Sequence, residues 1–568
     1  MMRSILILIF IFTASLFSAE VERSIINYIN DNPGRSVNIW IFFKDKGPEK
    51  DLSVYEVNEY LSERAVKRRS KMQNFPFVSF SDYPVYPDYI DQIKNYALKF
   101  NSTSRWLNAV SVKIKPEQIE QIKGLDFVDN IRLVKTYKKK YKKEENSILE
   151  KPAIAFSEDT LNYGKSKPQV EQIGVTVLHE KGFTGKGVVI AMLDDGFNRY
   201  NTHKVFDSLT VLDTWDFINL DTDVADAAAK PTEGWHGTMT LSVVGGNSPG
   251  MLIGAAYNAS FLLYKTEIDA DEIQIEEDNW VAGLERAEAM GADIVNSSLG
   301  YSDWYTWEDM DGKTAVTTLA TITAEAKGMI VVNSAGNNGG SDVPNSLNAP
   351  ADGEFVITVG GVYKDDSYWG QSSFGPTADG RIKPDVCAQG TGVYRASYSN
   401  DETFSSGSGT SFSSPLTAGA IALLVEAFPD ITPPEVRDAI RKTASQANDP
   451  DNLLGYGVLN IEAAYEYILN DSLPKPPAPT PKSLNRLFTS STKIHYDVSN
   501  LSRAKITVYD ALGRRVYSFP QKFVNAGEFE IISGNLLKAS GIYFYHIDGK
   551  NMATGRKINK SGKLVYLK

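Results

Sequence analysis

Between residues 169 and 470 the chain repeats one pattern, in which short apolar runs alternate with helical segments. The apolar runs are GVVIAML, SFLLYK, ADIVNSSLG and GMIVVNSAG, each bounded by turn-forming residues. Helical periods such as NWVAGLERAEAMG, residues 279–291, separate them. Strands that are apolar on both faces are typical of parallel sheets, because helices cover both sides. The pattern predicts an α/β domain with a parallel sheet and helices on both faces.

Smaller domains are predicted on either side of this segment. Residues 20–140 alternate strand-like runs, such as VNIWIFF, with the helical stretch PEQIEQIKGL, which is typical of a small α+β unit. The stretch 471–484 contains LPKPPAPTPKS, which predicts a stiff proline-rich linker. Residues 485–568 have short alternating runs split by turn residues and predict a small β-sandwich.

The N-terminus and the overall composition restrict the class of protein. Residues 1–19 combine Arg3, an apolar run and small residues up to Ala19, which predicts a secretory signal and an exported protein whose mature form has no transmembrane segment. The formal net charge of −11 argues against nucleic acid as the main partner. Cys387 is the only cysteine, which excludes an intrachain disulfide and a cysteine-based zinc site.

A serine in a run of small residues is the first candidate for chemistry. The stretch SSGSGTSFSSP leads directly into an apolar helix, and Ser411 falls near the start of that helix. The first turn of a helix has unpaired N–H groups, so a serine there can act as a nucleophile whose own N–H binds a developing oxyanion. The alternative is an ordinary Ser/Gly loop that caps a helix.

A serine nucleophile needs a base, and the base needs an orienting carboxylate. Of the five histidines, His236 precedes an apolar helical run and is the candidate base. Asp194 follows a buried strand, at the end where catalytic groups of open α/β sheets gather. Asn337 follows another strand, and its amide is a candidate oxyanion donor. Each of these residues alone also fits a structural or solvated position, because such turns and lone histidines are common.

Together these motifs resemble the subtilisin-like serine proteases. The order LDDG, HGT, GTSFSSP matches that family's Asp, His, Ser order, and AGNNG matches the segment of its oxyanion asparagine. The resemblance implies that residues 169–470 form the catalytic domain. It also implies that Asp194, His236 and Ser411 form the triad, with Asn337 as the side-chain oxyanion donor.

The same resemblance implies where a substrate peptide binds. The peptide is expected to add as a strand to one segment, while a second segment walls the pocket for the residue before the cut. The segments are Ser298, Leu299, Gly300 and Ser334, Ala335, Gly336. Asp195 stands where the family more often has Ser or Thr, a choice shared with the kexin and furin branch. Its extra negative charge predicts a substrate contact and a preference for basic side chains.

No cofactor is expected for catalysis, but subtilisin-like folds often bind structural calcium. The acidic stretch EIDADEIQIEEDNW, residues 267–280, is open to two interpretations. Carboxylates are favoured at a helix N-terminus, which is the ordinary explanation. The alternative is that they help to bind calcium or cationic substrates.

The flanking domains also resemble known modules. Residues 20–140 resemble the family's propeptide, which assists folding and inhibits the enzyme intramolecularly until it is cut. Residues 141–168 are then an activation linker, and release is expected between Tyr137 and Pro168. Residues 485–568 resemble the sorting domains of the type IX secretion system. That resemblance implies the type IX machinery as a partner, export through the periplasm of a Gram-negative bacterium, and a secreted or cell-surface location.

The sequence therefore predicts an exported serine endopeptidase, made as a self-inhibited precursor, that cleaves proteins or peptides through an acyl-enzyme. The rival interpretation is a surface adhesion protein that retains an inactive protease scaffold. Labelling of Ser411 by a serine-directed fluorophosphonate distinguishes the two.

Overall fold

A computed structural model describes residues 20–48 apart from 22, 61–72, 79–134, 161–225, 234–268, 275–340, 344–470 apart from 398, and the strands named below between 487 and 566. The predicted signal and proline-rich linker, much of the activation linker, and residues 269–274 of the acidic stretch lie outside this part of the chain. The chain divides into two compact units, Met1–Val66 with Val78–Ala463, and Lys67–Phe77 with Ala464–Lys568.

The N-terminal domain is a five-stranded sheet with short helices. Its strands are β1 Glu20–Val21, β2 Val37–Phe43, β3 Ala97–Ser104, β4 Ala109–Ile114 and β5 Val128–Val134. They run in the order β1-β5-β2-β4-β3, antiparallel except for β1 beside β5. The helices are α1 Arg23–Asp31, α2 Glu63–Ser70, α3 Pro87–Lys94 and α4 Ile119–Lys123.

Strand β2 is apolar on both faces, and the structure gives each face its own partner. Ile39 and Ile41 pack into the core of the N-terminal domain. Trp40 and Phe42, which alternate with them, cluster instead with Val316 of the predicted catalytic domain. Because side chains alternate across a strand, one run of apolar residues serves both a domain core and a domain interface.

The predicted catalytic domain contains a seven-stranded parallel sheet in the order β14-β13-β12-β11-β6-β10-β7. The strands are β6 Val189–Asp194, β7 Thr210–Asp216, β10 Ser260–Lys265, β11 Ile294–Ser297, β12 Ile330–Ser334, β13 Val356–Val362 and β14 Val386–Gln389. Two short antiparallel pairs accompany the sheet: β8 Asn247–Ser248 with β9 Leu252–Ile253, and β15 Val393–Ala396 with β16 Phe404–Gly407. The predicted parallel sheet is confirmed.

Helices cover both faces of this sheet. They are α5 Lys167–Glu171, α6 Val175–Glu180, α7 Trp235–Gly245, α8 Ile275–Met290, α9 Val316–Ala326, α10 Thr410–Ala427, α11 Pro433–Thr443 and α12 Ile461–Leu469. Helix α10 packs against β11, β12, β13 and β14. It is buried from Thr410 to Val425, which explains why its sequence is apolar on every side.

The C-terminal segment contains only strands among its described residues. They are β17 Leu487–Phe488, β18 Ser491–His495, β19 Ser502–Asp510, β20 Arg515–Ser518, β21 Lys522–Val524, β22 Phe529–Ser533, β23 Gly541–Asn551 and β24 Lys557–Tyr566. One sheet has the order β17-β24-β23-β19-β20, with β21 also on β19, and β18 pairs with β22. Two mainly antiparallel sheets agree with the predicted small β domain. Within the described residues, no helix has the length and apolar character needed to cross a membrane.

Candidate active site

The site begins where strand β6 ends, at the fully buried Asp194. His236 is the second residue of helix α7, and its Nδ1 lies 2.6 Å from Asp194 Oδ1. Thr240, one turn further along α7, donates its hydroxyl to Asp194 Oδ2 at 2.9 Å. The backbone N–H of Asp195 donates to Oδ1, also at 2.9 Å. The carboxylate is therefore held by protein donors in the orientation that binds the imidazole.

Sequence reasoning missed Thr240, although a signal was present. Residues four apart on a helix lie on the same face, so Thr240 shares the face of His236. A hydroxyl at that position can reach the same carboxylate as the imidazole does. The spacing would have identified Thr240 once His236 was placed on a helix.

Ser411 lies at the second position of helix α10 and is 6% exposed. Its hydroxyl donates to the Ser298 carbonyl at 3.5 Å, while Ser298 Oγ donates to the Ser411 carbonyl at 2.9 Å. The imidazole of His236 faces the next residue, Phe412, with ring centroids 6.4 Å apart. The structure therefore brings the Asp194–His236 pair to the start of the helix that carries Ser411.

Asn337 is attached to the same helix start. Its Oδ1 accepts hydrogen bonds from both the backbone N–H and the hydroxyl of Thr410, each at 3.0 Å. With the carbonyl oxygen engaged there, the amide Nδ2 is the group of Asn337 left for a ligand. The side chain is exposed, and Nδ2 has no hydrogen-bond partner within the described part of the chain. Thr410, which the sequence reasoning did not single out, thus orients the predicted oxyanion donor.

The two predicted substrate segments lie at the ends of adjacent parallel strands: Ser298 follows β11, and Ser334 is the last residue of β12. Asn348 lies between them: a Cβ at Gly300 would approach Asn348 Cβ to 2.6 Å, and one at Gly336 would approach Asn348 Nδ2 to 2.9 Å. Gly336 also has φ 109°, which favours glycine. The burial of the segments differs: Leu299 and Gly300 are half-buried, and the others are buried, namely Ser298, Ser334, Ala335 and Gly336.

Asp195, predicted as a substrate contact, occupies a different position. It is only 5% exposed. Its Oδ1 accepts the Gly237 N–H at 2.8 Å and its Oδ2 accepts the His236 N–H at 3.2 Å. The physical reason is local: the N-cap residue of helix α7 is Gly234, which has no side chain to cap the free N–H groups. Asp195 therefore caps a helix instead of facing open solvent.

Two groups of acidic side chains in this domain could in principle hold a cation. Asp194, Asp195 and His236 offer atoms within 4.8 Å of one another, but these atoms are engaged with each other and with backbone N–H groups. In the acidic stretch, Glu267 accepts from Tyr301 Oη at 2.6 Å, and Glu277 accepts from Trp304 Nε1 at 2.9 Å. Glu267 and Glu277 therefore serve as acceptors for aromatic side chains that pack against them.

The N-terminal domain docks on helices α8 and α9 through buried polar groups. Glu285 of α8 accepts from Ser104 Oγ at 2.5 Å and from the backbone N–H of Trp106 at 3.2 Å. Lys327, just after α9, forms a buried ion pair with Asp82 at 2.6 Å. Breaking a buried pair leaves an unpaired charge in a low-dielectric interface. These contacts therefore tie the N-terminal domain to the catalytic domain specifically.

A parallel sheet with an aspartate, a histidine and a serine at its carboxyl edge, in that chain order, defines the subtilisin class of serine peptidase. Comparison with known proteins agrees. The subtilase family model matches residues 185–457, and the model of the peptidase S8 propeptide domain of Bacteroidota matches residues 38–149. The chain belongs to the subtilase family. It is a serine-type endopeptidase with a propeptide domain, which implies an intramolecular inhibitor, and this displaces the adhesion-protein interpretation.

Individual relatives are similar over the same region. Subtilisin DY of Bacillus licheniformis is 32% identical over 286 residues, which cover 50% of this chain and 93% of the relative. Subtilisin E of Bacillus subtilis (strain 168) is 30% identical over 323 residues, covering 55% and 76%. Among solved structures, a protease from Pseudoalteromonas arctica matches with 24% identity and a TM-score of 0.44, covering 54% of this chain and 99% of that chain.

Proposed function

We propose that this subtilase cleaves peptide bonds with Asp194, His236 and Ser411 as its triad and Asn337 as an oxyanion donor. The observation that carries the proposal is the 2.6 Å contact between His236 Nδ1 and the buried Asp194 carboxylate. A carboxylate at Nδ1 keeps the proton on that nitrogen, so Nε2 is left as the base. The same contact stabilises the imidazolium that forms during reaction.

The proposed reaction has two halves. Ser411 Oγ attacks the scissile carbonyl carbon while His236 takes the hydroxyl proton, and the negative charge moves to the carbonyl oxygen. Asn337 Nδ2 and the Ser411 N–H stabilise this oxyanion. When the C–N bond breaks, His236 gives the proton to the leaving amine, which leaves an acyl-enzyme on Ser411. Water, deprotonated by His236, then hydrolyses the ester.

A fluorophosphonate probe tests the assignment of the nucleophile. Because only an activated serine attacks such a probe, the mature protein is expected to be labelled at Ser411, and Ser411→Ala to lose both the label and peptide hydrolysis. Ser408→Ala is the matched control, since Ser408 is an exposed serine three residues away, and it should keep both. Peptide mapping of the label by mass spectrometry gives the site. A label elsewhere, or hydrolysis by Ser411→Ala, would contradict the proposal.

The precursor organisation is proposed as follows: a signal at 1–19, a propeptide at 20–140, an activation linker at 141–168, the catalytic domain at 169–470 and a linker at 471–484. Release of the propeptide is placed between Tyr137 and Pro168. The matched propeptide model, residues 38–149, supports this order.

For residues 485–568 we propose a type IX sorting domain, and hence export through a Gram-negative periplasm to the cell surface or medium. The two β-sheets of this segment and the Bacteroidota character of the propeptide support the proposal. Structural calcium is proposed from the family resemblance alone, and catalysis requires no cofactor in this mechanism.

A further inference from the structure

The turn after strand β6 and the start of helix α7 are packed backbone against backbone. A Cβ at Gly237 would collide with the Gly196 carbonyl oxygen, and a Cβ at Gly196 would lie 2.9 Å from Gly234 Cα. The N–H of Asn198 donates to the Gly234 carbonyl at 2.8 Å. This close approach brings the Asp195 carboxylate to the free N–H groups at the start of α7.

The carboxylate replaces a cap that the helix lacks. Helices usually take their first N–H groups onto a side chain of the N-cap residue, but that residue here is Gly234. Asp195 instead accepts the N–H groups of His236 and Gly237, which lie 41 and 42 residues later in the chain. His236 is thereby held at two points: Asp194 binds its ring, and Asp195 binds its backbone.

We propose that Asp195 is a positioning residue for catalysis, which fixes the backbone of His236 and adds negative charge beside its imidazole. The inference rests on the proposed function. It replaces the basic-substrate role expected from sequence, since both carboxylate oxygens are occupied and the side chain is 5% exposed. An oxygen of Asp195 lies within 4.8 Å of a ring nitrogen of His236, so its charge favours the imidazolium.

Other charged groups face this region from neighbouring elements. Lys265 of β10 runs beside Gly196 and has its Nζ 3.7 Å from Asp216 Oδ2. Arg395 of strand β15 places its guanidinium 4.8 Å from the ring centroid of Phe412. Phe412 belongs to α10, and its ring faces His236. These groups are unchanged in the variant below, so a shift in the His236 pKa reports the lost Asp195 charge.

Asp195→Asn in the mature enzyme tests the inference. The asparagine side chain has one acceptor oxygen where the aspartate has two, so it cannot accept both N–H groups in the same geometry, and it carries no charge. We expect kcat to fall about 10- to 100-fold with KM little changed, equally for basic and neutral peptides, because the base is misplaced while the substrate site is intact. The acid limb of the kcat/KM profile should move to lower pH by about one unit, since the imidazolium loses a stabilising charge.

A second measurement does not depend on turnover. Proton NMR can follow the proton between His236 and Asp194 as the pH is changed. In a Ser411→Ala protein, adding Asp195→Asn should shift the His236 pKa downward, as in the kinetic profile. Asp451→Asn is the matched control: Asp451 accepts the N–H groups of Leu453 and Leu454, each at 2.8 Å, on another loop, and its variant should leave kinetics and titration unchanged.

Three outcomes would overturn the inference: a selective rise of KM for basic peptides, a lower melting temperature with unchanged kcat and pH profile, or an unshifted NMR titration. The first outcome would mean that Asp195 contacts the substrate. The second would mean that Asp195 caps helix α7 without a role in catalysis. Failure of the proposed function is distinguishable, because the parent enzyme would then not be labelled at Ser411.

Discussion

At the scale of single residues, Pro415 explains why Ser298 contacts Ser411, the proposed nucleophile. Proline has no N–H, so the helix cannot supply the i to i+4 hydrogen bond that the Ser411 carbonyl would otherwise receive. Ser298 Oγ donates to that carbonyl instead, at 2.9 Å. Ser298, which the family resemblance assigns to the substrate segment, thus also satisfies the backbone carbonyl of the proposed nucleophile.

Asn337→Ala is expected to lower kcat strongly with little effect on KM. The reason is that the amide donor acts on the oxyanion, which exists only in the transition state and intermediate. The expected loss is about 10²- to 10³-fold, the magnitude known for the subtilisin asparagine and taken from it. Steady-state kinetics on a peptide substrate measure it.

Asn338→Ala is the control for that change, because Asn338 is the adjacent exposed asparagine and donates to Asn348 instead. It should retain most of the kcat of the parent. Equal losses in both variants would mean that Asn337 acts through the loop conformation and not as an oxyanion donor.

At the scale of elements, helix α8 presents acidic side chains to the N-terminal domain. Asp278 is 1% exposed and faces Trp40 and Ser111 of strands β2 and β4. Neither its oxygens nor Trp40 Nε1 have the geometry of a full hydrogen bond within the described structure. Burial, together with the adjacent charge of Glu277, raises the pKa of Asp278 well above its ordinary value. Packing of the N-terminal domain on helix α8 therefore favours a protonated Asp278.

The consequence for pH follows from the sign of this shift. When the group keeps its proton in the folded protein but loses it in the unfolded chain, stability is greatest below the ordinary carboxyl pKa, 3.8, and declines as the pH rises above it. In a Ser411→Ala precursor, which cannot cut itself, Asp278→Asn should reduce the fall in melting temperature between pH 5 and pH 8 by about 2 °C or more.

Calorimetry at several pH values measures this difference. Glu308→Gln, which neutralises an exposed carboxylate, should leave the pH dependence of the parent unchanged. If Asp278→Asn also left the pH dependence of the melting temperature unchanged, the Asp278 carboxyl would not be the group that makes stability depend on pH.

At the scale of the whole molecule, one chain supplies both the protease and a domain docked on it. The docking surface combines the apolar cluster around Trp40 and Val316 with the buried Lys327–Asp82 pair and the Glu285 hydrogen bonds. Buried ion pairs add specificity more readily than stability. The interface is therefore suited to hold one particular partner, the chain's own N-terminal domain.

Maturation should remove that domain. The active form is expected to begin between Tyr137 and Pro168, which N-terminal sequencing determines directly. If the enzyme cuts itself, the Ser411→Ala precursor will retain the N-terminal domain under the same conditions. An active form that still begins near Glu20 would contradict the proposed precursor organisation.

The sequence alone determined the architecture, because the alternation of apolar strands and helices has few other solutions than a covered parallel sheet. It also determined the candidates Asp194, His236, Ser411 and Asn337, since each sits in a short motif at a strand or helix end. Local periodicity carries this information. Two residues that anchor them were not singled out. Thr240 is marked only by its four-residue spacing from His236 on helix α7, and Thr410 is 73 positions from Asn337 in the chain.

The hydrogen-bond partners of Asp195 and the surroundings of the acidic helix were decided only by the tertiary structure. A carboxylate after a strand looks equally suited to a substrate or to a cap until the helix start of α7 is placed beside it. From sequence, Asp278 is interpreted as an ordinary charge near a helix N-terminus. In the structure it is buried and faces residues of strands β2 and β4. The physical reason is that burial and hydrogen-bond partners come from residues distant in the chain, so the effect of a charge depends on what folds against it.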